Sequence, residues 1–316
     1  MKILFMGTPD FATVSLAHLL AQPDFSVVGV LTQPDKPKGR HMTLTPPPVK
    51  VMAMEKGIPV WQPETLKDGA IADLLSDLQP DAIVVVAYGK LLPEYVLNYP
   101  KYGCVNVHGS LLPAYRGAAP MQRAIMAGEE TVGVTTMKMA KGMDTGDMYL
   151  KAETPLTTED NFETIHDKLA DMGAQILVHT LRGLEAGTLK AHPQDEALAT
   201  HAAKIEKADC LLSFDKSARE VFFYARGLTP IPLPFAYLKG KMIKFTSLTL
   251  AKEEGVWGSP GEVISLDDGK ITVACATGAL VIDGVLPEGK KNMASSDFVR
   301  GRGIAVGDMF TDKKEM

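Results

Sequence analysis

Cysteine, tryptophan and long apolar runs are scarce in this sequence. It has three cysteines and two tryptophans among 316 residues. Because Cys104, Cys210 and Cys275 lie far apart, they offer neither a disulfide framework nor a pair of zinc ligands. No apolar run approaches the roughly 18–20 residues that a membrane-spanning helix needs. We therefore expect a soluble, cytoplasmic protein without structural disulfides.

Two glycine-rich phosphate-binding motifs are also missing. The first predicted strand ends in the segment Gly7–Ala12, G-T-P-D-F-A, which contains no G-x-G-x-x-G motif. A proline and an aspartate occupy the turn at which a pyrophosphate would need open backbone amides. This disfavours nicotinamide or flavin binding, and the absence of a G-x-x-x-x-G-K-[ST] pattern excludes a P-loop.

An excess of basic charge is absent as well. The formal net charge is −5 at pH 7. The acidic excess lies in residues 1–189, whereas residues 209–316 are neutral overall. A neutral domain can still present a basic face, but the bulk charge gives no evidence for nucleic-acid binding.

The first 150 residues alternate short apolar runs with helical patterns, which predicts an open, mostly parallel sheet with helices on both faces. The predicted strands are Lys2–Met6, Ser26–Thr32, Ile58–Trp61, Ala82–Ala87, Cys104–Val107 and Gly133–Met139. The predicted helices are Phe11–Ala21, Pro48–Lys56, Thr65–Leu78, Pro93–Asn98 and Ala119–Ala127. The fold class is therefore α/β, with a Rossmann-like, doubly wound sheet.

The rest of the chain predicts a second domain. A long amphipathic helix over Asn161–Glu185 is followed by a polar linker at residues 190–208. Beyond the linker, a helix near Ser217–Gly227 precedes short strands separated by glycine turns, a spacing typical of a small, OB-like β-barrel. We predict domains at residues 1–189 and 209–316.

Polar residues at the end of one predicted strand mark the candidate site. Asn106 and His108 are two residues apart, so on a strand they point to the same side, about 6.6–7 Å apart. Ligands of such sheets bind beyond the carboxyl ends of the strands. The loop Lys141–Asp147, bounded by glycines, follows another strand and can bring Asp144 to the same crevice.

An amide, an imidazole and a carboxylate together suit acyl transfer to an amine. The Asn106 amide N–H can stabilise a developing oxyanion, and Asp144 can fix the tautomer of His108 or raise its pKa. Because no serine or cysteine is paired with the histidine, direct attack by a substrate amine is favoured over a covalent intermediate. His108 has no partner at metal-ligand spacing, so no metal site is predicted.

Each of the three residues also has a plainer interpretation. A single histidine after a strand is more often structural than catalytic. Asn106 can satisfy backbone groups at a turn, and Asp144 can cap a turn through Thr145 and Gly146. The spacing by itself leaves these alternatives open.

The stretch Val105–Pro120, V-N-V-H-G-S-L-L-P-A-Y-R-G-A-A-P, closely resembles the signature of the folate-dependent formyltransferases. The resemblance covers essentially the whole chain and is closest to the members that act on a methionyl-tRNA. Other segments resemble the family in the same order: Gly7–Ala12, Thr32–Asp35, Pro48–Lys50, Val85–Gly89, Pro120–Arg123, Met143–Met148 and Ala203–Ile205.

The resemblance implies an activity and roles for particular residues. The donor would be 10-formyltetrahydrofolate, without a metal, and the acceptor the α-amino group of methionyl initiator tRNA, for translation initiation. Asn106 and His108 would stabilise the tetrahedral oxyanion, while Asp144 orients His108 and assists proton transfer. The residues implied to contact folate are Tyr88, Gly89, Leu91, Leu92, Ser110, Leu111, Leu112 and Pro113.

A long connection, Gln33–Lys50, joins a predicted strand to a predicted helix without regular structure of its own. Long loops in compact domains usually have a function, but composition alone also allows a solvated basic loop without one. By resemblance it matches an insertion that enters the tRNA acceptor end. Its implied tRNA-binding residues are Lys36, Lys38, Arg40 and Lys50.

The sequence departs from the family in its C-terminal part. Thr229–Pro234 replaces a family segment like N-P-W-P, and Phe214 stands where a tryptophan is common. The C-terminal domain is implied to bind tRNA, with basic residues that would gather on one face. These are Lys239, Lys241, Lys244, Lys290, Lys291, Arg300 and Arg302.

Two other functions stay open from the sequence. A formyltransferase acting on an amino sugar nucleotide or a purine-pathway ribonucleotide would share the three catalytic residues without needing the Gln33–Lys50 segment. A non-catalytic tRNA-binding protein could keep the fold, although an intact set of Asn106, His108 and Asp144 argues against it.

Overall fold

The computed structural model describes residues 1–39 and 42–314, which form two compact units. Unit 1 comprises residues 1–39, 42–120, 131–154 and 166–202, and unit 2 comprises residues 121–130, 155–165 and 203–314. The described helices are α1 Asp10–Leu20, α2 Pro48–Glu55, α3 Ala72–Leu78, α4 Glu94–Leu97, α5 Pro120–Ala127, α6 Phe162–Glu185, α7 Ala218–Gly227 and α8 Ser295–Arg300.

The strands of the first 202 residues are β1 Lys2–Gly7, β2 Ser26–Leu31, β3 Lys36–Lys38, β4 Thr43–Thr45, β5 Val60–Trp61, β6 Ala82–Val86, β7 Cys104–His108, β8 Arg116–Gly117, β9 Thr131–Lys138, β10 Met148–Pro155 and β11 His201–Ala202. Those of the remaining residues are β12 Phe235–Leu238, β13 Lys241–Lys252, β14 Val263–Ser265, β15 Ile271–Ala274, β16 Ala279–Pro287, β17 Met293–Ala294 and β18 Phe310–Thr311.

Unit 1 is built on a seven-stranded sheet in the order β10-β9-β7-β6-β1-β2-β5. The five strands from β7 to β5 are parallel, and β9 runs antiparallel to β7. This confirms the predicted mostly parallel sheet, and all six predicted strands are present. Because the parallel strands share one direction, the ends of β1, β2, β6 and β7 meet at one edge.

Helices cover both faces of this sheet because residues along each strand alternate between the faces. Leu4 and Met6 pack in one apolar cluster with Leu75 of α3 and Val96 of α4. On the opposite face, Gly173 of α6 lies directly against β7 and β9. The ring of Phe11 in α1 meets that of His166 in α6, with centroids 5.3 Å apart.

Helix α3 starts later than predicted, at Ala72 instead of Thr65. Asp68 and Gly69 have φ angles of +54° and +75°, which a right-handed helix does not contain. The turn they form separates the polar residues after Thr65 from the helix.

The predicted irregular loop Gln33–Lys50 is wrong in part, because it contains a β-hairpin. Strands β3 and β4 pair antiparallel, with Lys36 opposite Thr45 and Lys38 opposite Thr43. Lys50 lies in the first turn of α2, which begins with Pro48. Arg40, predicted to bind tRNA, lies outside the described residues.

Unit 2 contains a curled antiparallel sheet in the order β14-β15-β16-β13-β12-β18, with β17 paired to β16. Its two edge strands meet: the Phe310 N–H donates to the Gly261 carbonyl at 2.8 Å, and Glu262 bridges to Met309. A Cβ at Gly261 would lie 2.2 Å from the Phe310 carbonyl oxygen, so glycine is required there. The sheet therefore closes on itself as a small barrel, as predicted.

The barrel core includes Phe214, the residue that stands where the family often has tryptophan. Its ring centroid lies 6.2 Å from that of Phe245 and 6.1 Å from that of Phe310. The smaller ring is therefore accommodated by aromatic neighbours. Within the described residues, no helix combines the length and the apolar character needed to span a bilayer.

Candidate active site

Asn106 and His108 lie on one side of β7, as their spacing predicts. Asn106 is opposite Val85 of β6 and Met137 of β9, and His108 is opposite Thr135 of β9. The two side chains belong to residues that are 9% and 5% exposed. They are therefore held at the strand's carboxyl end with little contact to solvent.

The imidazole of His108 is held by one backbone carbonyl and faces one carboxylate. Its Nε2 lies 3.0 Å from the Tyr115 carbonyl oxygen, and its Nδ1 lies 3.7 Å from Asp144 Oδ2. Because a carbonyl only accepts, Nε2 carries the proton and donates it. Nδ1 is thus the ring nitrogen that is left for a substrate, and it lies beside the Asp144 carboxylate.

Asp144 is fixed by contacts to both its backbone and its side chain. Its Oδ2 accepts a hydrogen bond from the Gly117 N–H at 2.9 Å, and its carbonyl accepts one from Gln194 Nε2 at 2.8 Å. Its φ angle is +52°, in the left-handed region that aspartate tolerates better than most residues. The carboxylate therefore bonds to the Gly117 amide instead of capping a turn at Thr145 and Gly146.

A layer of residues behind Asp144 was missed by sequence reasoning. Gln194 also donates to the Gly146 carbonyl at 2.7 Å and accepts from Arg116 Nε at 2.9 Å. Arg116 makes a two-pronged ion pair with Glu196, at 2.9 and 2.8 Å. This pairing raises the pKa of Arg116 and lowers that of Glu196. Only Arg116 carried a signal, because it belongs to the Val105–Pro120 motif.

The carboxamide of Asn106 is available for hydrogen bonding. Among the described residues it makes no side-chain hydrogen bond, so it is not satisfying backbone groups at a turn. A buried amide without a partner can donate to a substrate oxygen, and it needs no rearrangement to do so. Asn106, His108 and Asp144 thus bring an amide, an imidazole and a carboxylate to one strand end.

The segment Ser110–Pro113 follows His108 and is held in place by β9. Thr135, which is fully buried, donates through Oγ1 to the Ser110 carbonyl at 2.7 Å and accepts from the Leu112 N–H at 3.2 Å. The Ser110 hydroxyl donates to the Ala114 carbonyl at 2.6 Å. The side chain of Leu112 is fully buried, so a ligand would meet this segment mainly through its backbone and through Leu111 and Pro113.

The Tyr88 segment lies beyond the end of the neighbouring strand β6. Two side chains hold the Tyr88 carbonyl: Thr8 Oγ1 and Gln33 Nε2 each donate to it at 3.1 Å. The Tyr88 ring is buried, its hydroxyl has no partner among the described residues, and burial raises its pKa to about 12. Leu92 is buried, whereas Leu91 is 68% exposed and available to a ligand.

The lysines of the hairpin segment differ in their surroundings. Lys36 is exposed and lines a cleft between the end of β1 and the hairpin, together with Thr8, Asp10, Gln33 and Thr45. Lys50, in contrast, is engaged by Asp35 and Gln62. Of Lys38 only the backbone, in β3, is described.

Within the described part of the chain, no group of three or more His, Cys, Asp or Glu side chains is arranged to hold a metal ion. The basic residues predicted to gather in the C-terminal domain are partly paired. Lys239 forms an ion pair with Asp308 at 2.7 Å, and Arg300 forms one with Asp297. Their gathering on one face stays a prediction.

Family models match most of the chain. The formyl transferase model matches residues 1–181, and the model of the formyl transferase C-terminal domain matches residues 204–303. Together they span both units, with the active-site residues inside the first match.

Individual relatives and solved structures are also formyltransferases. A methionyl-tRNA formyltransferase of Geotalea uraniireducens is 44% identical over 313 residues, covering 99% of each chain. The solved structure of an N-formyltransferase from Helicobacter canadensis in complex with folinic acid and dTDP-3-aminofucose has a TM-score of 0.67 at 17% identity, covering 89% of this chain and 98% of that one. A methionyl-tRNA formyltransferase structure from Clostridium thermocellum has a TM-score of 0.56 at 16% identity, covering 79% and 94%. The chain therefore belongs to the formyl transferase family and, within it, to the methionyl-tRNA formyltransferases.

Proposed function

We propose that this protein transfers the formyl group of 10-formyltetrahydrofolate to the α-amino group of methionyl initiator tRNA, for translation initiation in the cytoplasm. The observation that carries the proposal is the arrangement of Asn106, His108 and Asp144 at the end of β7, in a chain 44% identical along its full length to a methionyl-tRNA formyltransferase. Residues 1–189 would carry catalysis and residues 209–316 would bind the tRNA, joined by the segment 190–208.

The reaction follows from the positions of the three groups. The methionine amine attacks the formyl carbon, forming a C–N bond and placing negative charge on the formyl oxygen. Asn106 donates its amide N–H to that oxygen. Nδ1 of His108 exchanges the proton that the amine loses, and Asp144 stabilises the imidazolium that forms. When the bond from carbon to N10 of the folate breaks, that proton passes to N10.

Binding of the two substrates is proposed on residues that surround this centre. The folate would contact Tyr88, Gly89, Leu91 and Leu92 on one side and Ser110, Leu111, Leu112 and Pro113 on the other. Lys36, Lys38 and Arg40 would meet the phosphates of the tRNA acceptor end. Phosphate contacts release counterions, so tRNA binding should weaken as salt rises.

The direct test is formylation by the purified protein. We expect methionyl initiator tRNA to be formylated when 10-formyltetrahydrofolate is supplied and not when it is omitted. If methionyl-tRNA is left unmodified while an amino sugar nucleotide or a purine ribonucleotide is formylated, the proposal is wrong and the other family activity is right. The likeness to the Helicobacter canadensis structure concerns the fold alone, since the identity is 17%.

The roles of the catalytic residues are tested by substitution. Removal of one oxyanion donor typically lowers kcat roughly a hundredfold to a thousandfold, so we expect that loss for Asn106→Ala. His108→Ala should lose activity because Nδ1 is gone, while folate binding measured by fluorescence titration persists. Unchanged formyl transfer by His108→Ala would refute a catalytic role for His108.

A further inference from the structure

Lys50 uses all of its hydrogen-bond donors inside unit 1. An ammonium group has three N–H donors. Lys50 Nζ lies 2.9 Å from each carboxylate oxygen of Asp35 and 2.7 Å from Gln62 Oε1. Its positive charge therefore faces a carboxylate, and no donor is left over for a phosphate.

Gln62 links this pair to the rest of the sheet edge. Its Nε2 lies 2.8 Å from Asp35 Oδ1, 2.8 Å from the Gln33 carbonyl and 3.2 Å from Thr32 Oγ1, so its two N–H groups are shared among three acceptors. Hydrogen bonds from Lys50 and Gln62 lower the pKa of Asp35. The three side chains form a closed polar cluster.

The cluster lies where the hairpin begins and ends. Asp35 directly precedes β3, and Lys50 lies in α2, which begins with Pro48 and follows β4 after two further prolines at residues 46 and 47. Gln62 follows β5, the edge strand of the sheet. An ion pair between the two stems of a loop fixes both stems, and Gln62 fixes the pair to the sheet.

We propose that Asp35, Lys50 and Gln62 act as an anchor that sets the position of the β3–β4 hairpin for the acceptor substrate, and that Lys50 is a positioning residue and not a phosphate contact. This inference rests on the proposed tRNA substrate and revises the expected role of Lys50. The cleft beside the hairpin has Lys36 and Thr45 on one wall and Thr8 and Asp10 on the other. The anchor therefore also sets the width of that cleft.

The anchor is tested first in the free protein, without any substrate. Hydrogen–deuterium exchange of the β3 and β4 amides should quicken roughly tenfold in Lys50→Met, Asp35→Ala and Gln62→Met, a change typical of the loss of coupled polar contacts. Lys56→Met is the matched control, because Lys56 is exposed just after the same helix and has no partner in the described structure; its exchange should match the wild type. Unchanged exchange in all three variants would overturn the anchor.

The second measurement is steady-state formylation over a range of salt concentrations. Each of the three variants should raise the KM for methionyl-tRNA roughly tenfold with little change in kcat or in folate binding. The salt dependence of the KM should keep its slope, whereas Lys36→Met should reduce that slope by about one, as expected for a lost phosphate contact. The double variant Asp35→Ala/Lys50→Met should be no worse than either single variant, since both break the same pair.

Asp35→Ala distinguishes a positioning role of Lys50 from a phosphate contact, because the two roles predict opposite changes in tRNA binding. If Lys50 bound phosphate, the freed lysine would bind tRNA as well as before or more tightly, and Lys50→Met would lower the salt slope. Either result would overturn the inference. If the wild-type protein does not formylate methionyl-tRNA at all, the proposed function fails, but the exchange experiment still decides whether the anchor exists.

Discussion

At the scale of single residues, the ring of His108 has two neighbours that its position at the end of a strand does not predict. Nε2 donates a hydrogen bond to the Tyr115 carbonyl oxygen, because a carbonyl can only accept. Nδ1 is then the ring nitrogen left for the proposed proton transfer, and Asp144 lies beside it. The chemistry proposed for the site therefore uses one ring nitrogen, and the other holds the ring in place.

Thr135 lies outside the predicted set, but it holds the Ser110–Pro113 segment through two hydrogen bonds. In Thr135→Val the hydroxyl is replaced by a methyl group of similar size, and the Ser110 carbonyl and the Leu112 N–H lose their partner. Buried backbone groups left unpaired cost about 1–3 kcal/mol. We expect thermal denaturation to show that loss of stability and kinetics to show a raised KM for the folate donor.

Thr135→Ser is the matched control for this substitution because it keeps the hydroxyl. It should retain a KM close to that of the wild type. If Thr135→Val lost stability with an unchanged folate KM, Thr135 would be a structural residue that does not position the Ser110–Pro113 segment.

At the scale of elements, β7 carries the catalytic residues on one side and meets α6 on the other. A Cβ at Gly173 of α6 would lie 2.8 Å from Val107 Cγ1 and 3.1 Å from a methyl group of Val134. These branched side chains have little room to rotate away. The small residue lets the helix approach the strand that holds Asn106 and His108.

For Gly173→Ala, two effects change the free energy of unfolding in opposite directions. Helix propensity alone would stabilise the protein by roughly 0.5–1 kcal/mol. Overpacking a tight contact typically costs about 1–3 kcal/mol. We expect overpacking to prevail, giving a lower free energy of unfolding in urea together with reduced kcat. His179→Ala, on the exposed side of α6, is the control and should show neither the lower free energy of unfolding nor the reduced kcat. A Gly173→Ala protein more stable than the wild type would contradict the close packing.

The β3–β4 hairpin shows why short elements escape sequence reasoning. Each strand has three residues, and Pro37 within β3 reads as a breaker of strand structure. What fixes the hairpin's ends is an ion pair between Asp35 and Lys50, 15 residues apart, with Gln62 as a third partner. No local pattern encodes that contact.

At the scale of the whole molecule, one ion pair should leave a mark on acid stability. Arg182, in the last turn of α6, donates to Asp24 at 2.7 Å, and this hydrogen bond lowers the pKa of Asp24 to about 2 from 3.8. A carboxyl whose pKa is lowered by folding stabilises the protein above its unfolded pKa. That contribution is lost as pH falls from about 4 to about 2.

Asp24→Asn should therefore have a lower Tm than the wild type at pH 6, and the difference should shrink as pH falls through this window. Both side chains are partly exposed, so added salt should also reduce the difference. Asp68→Asn, at an exposed site without a partner in the described structure, serves as control. Calorimetry between pH 2 and pH 7 would contradict the assignment if the two variants behaved alike.

The sequence by itself determined the alternation of strands and helices in the first 150 residues and the small barrel that follows, because periodicity and glycine turns are local properties. It also determined that Asn106 and His108 share one side of a strand, since successive side chains alternate. Only the tertiary structure decided the rest. The Tyr115 carbonyl on Nε2, the Gly117 amide on Asp144 and the capture of Lys50 by Asp35 and Gln62 all join residues whose meeting depends on how the strands pack. Such contacts produce no periodic pattern in the sequence, so only the tertiary structure reveals them.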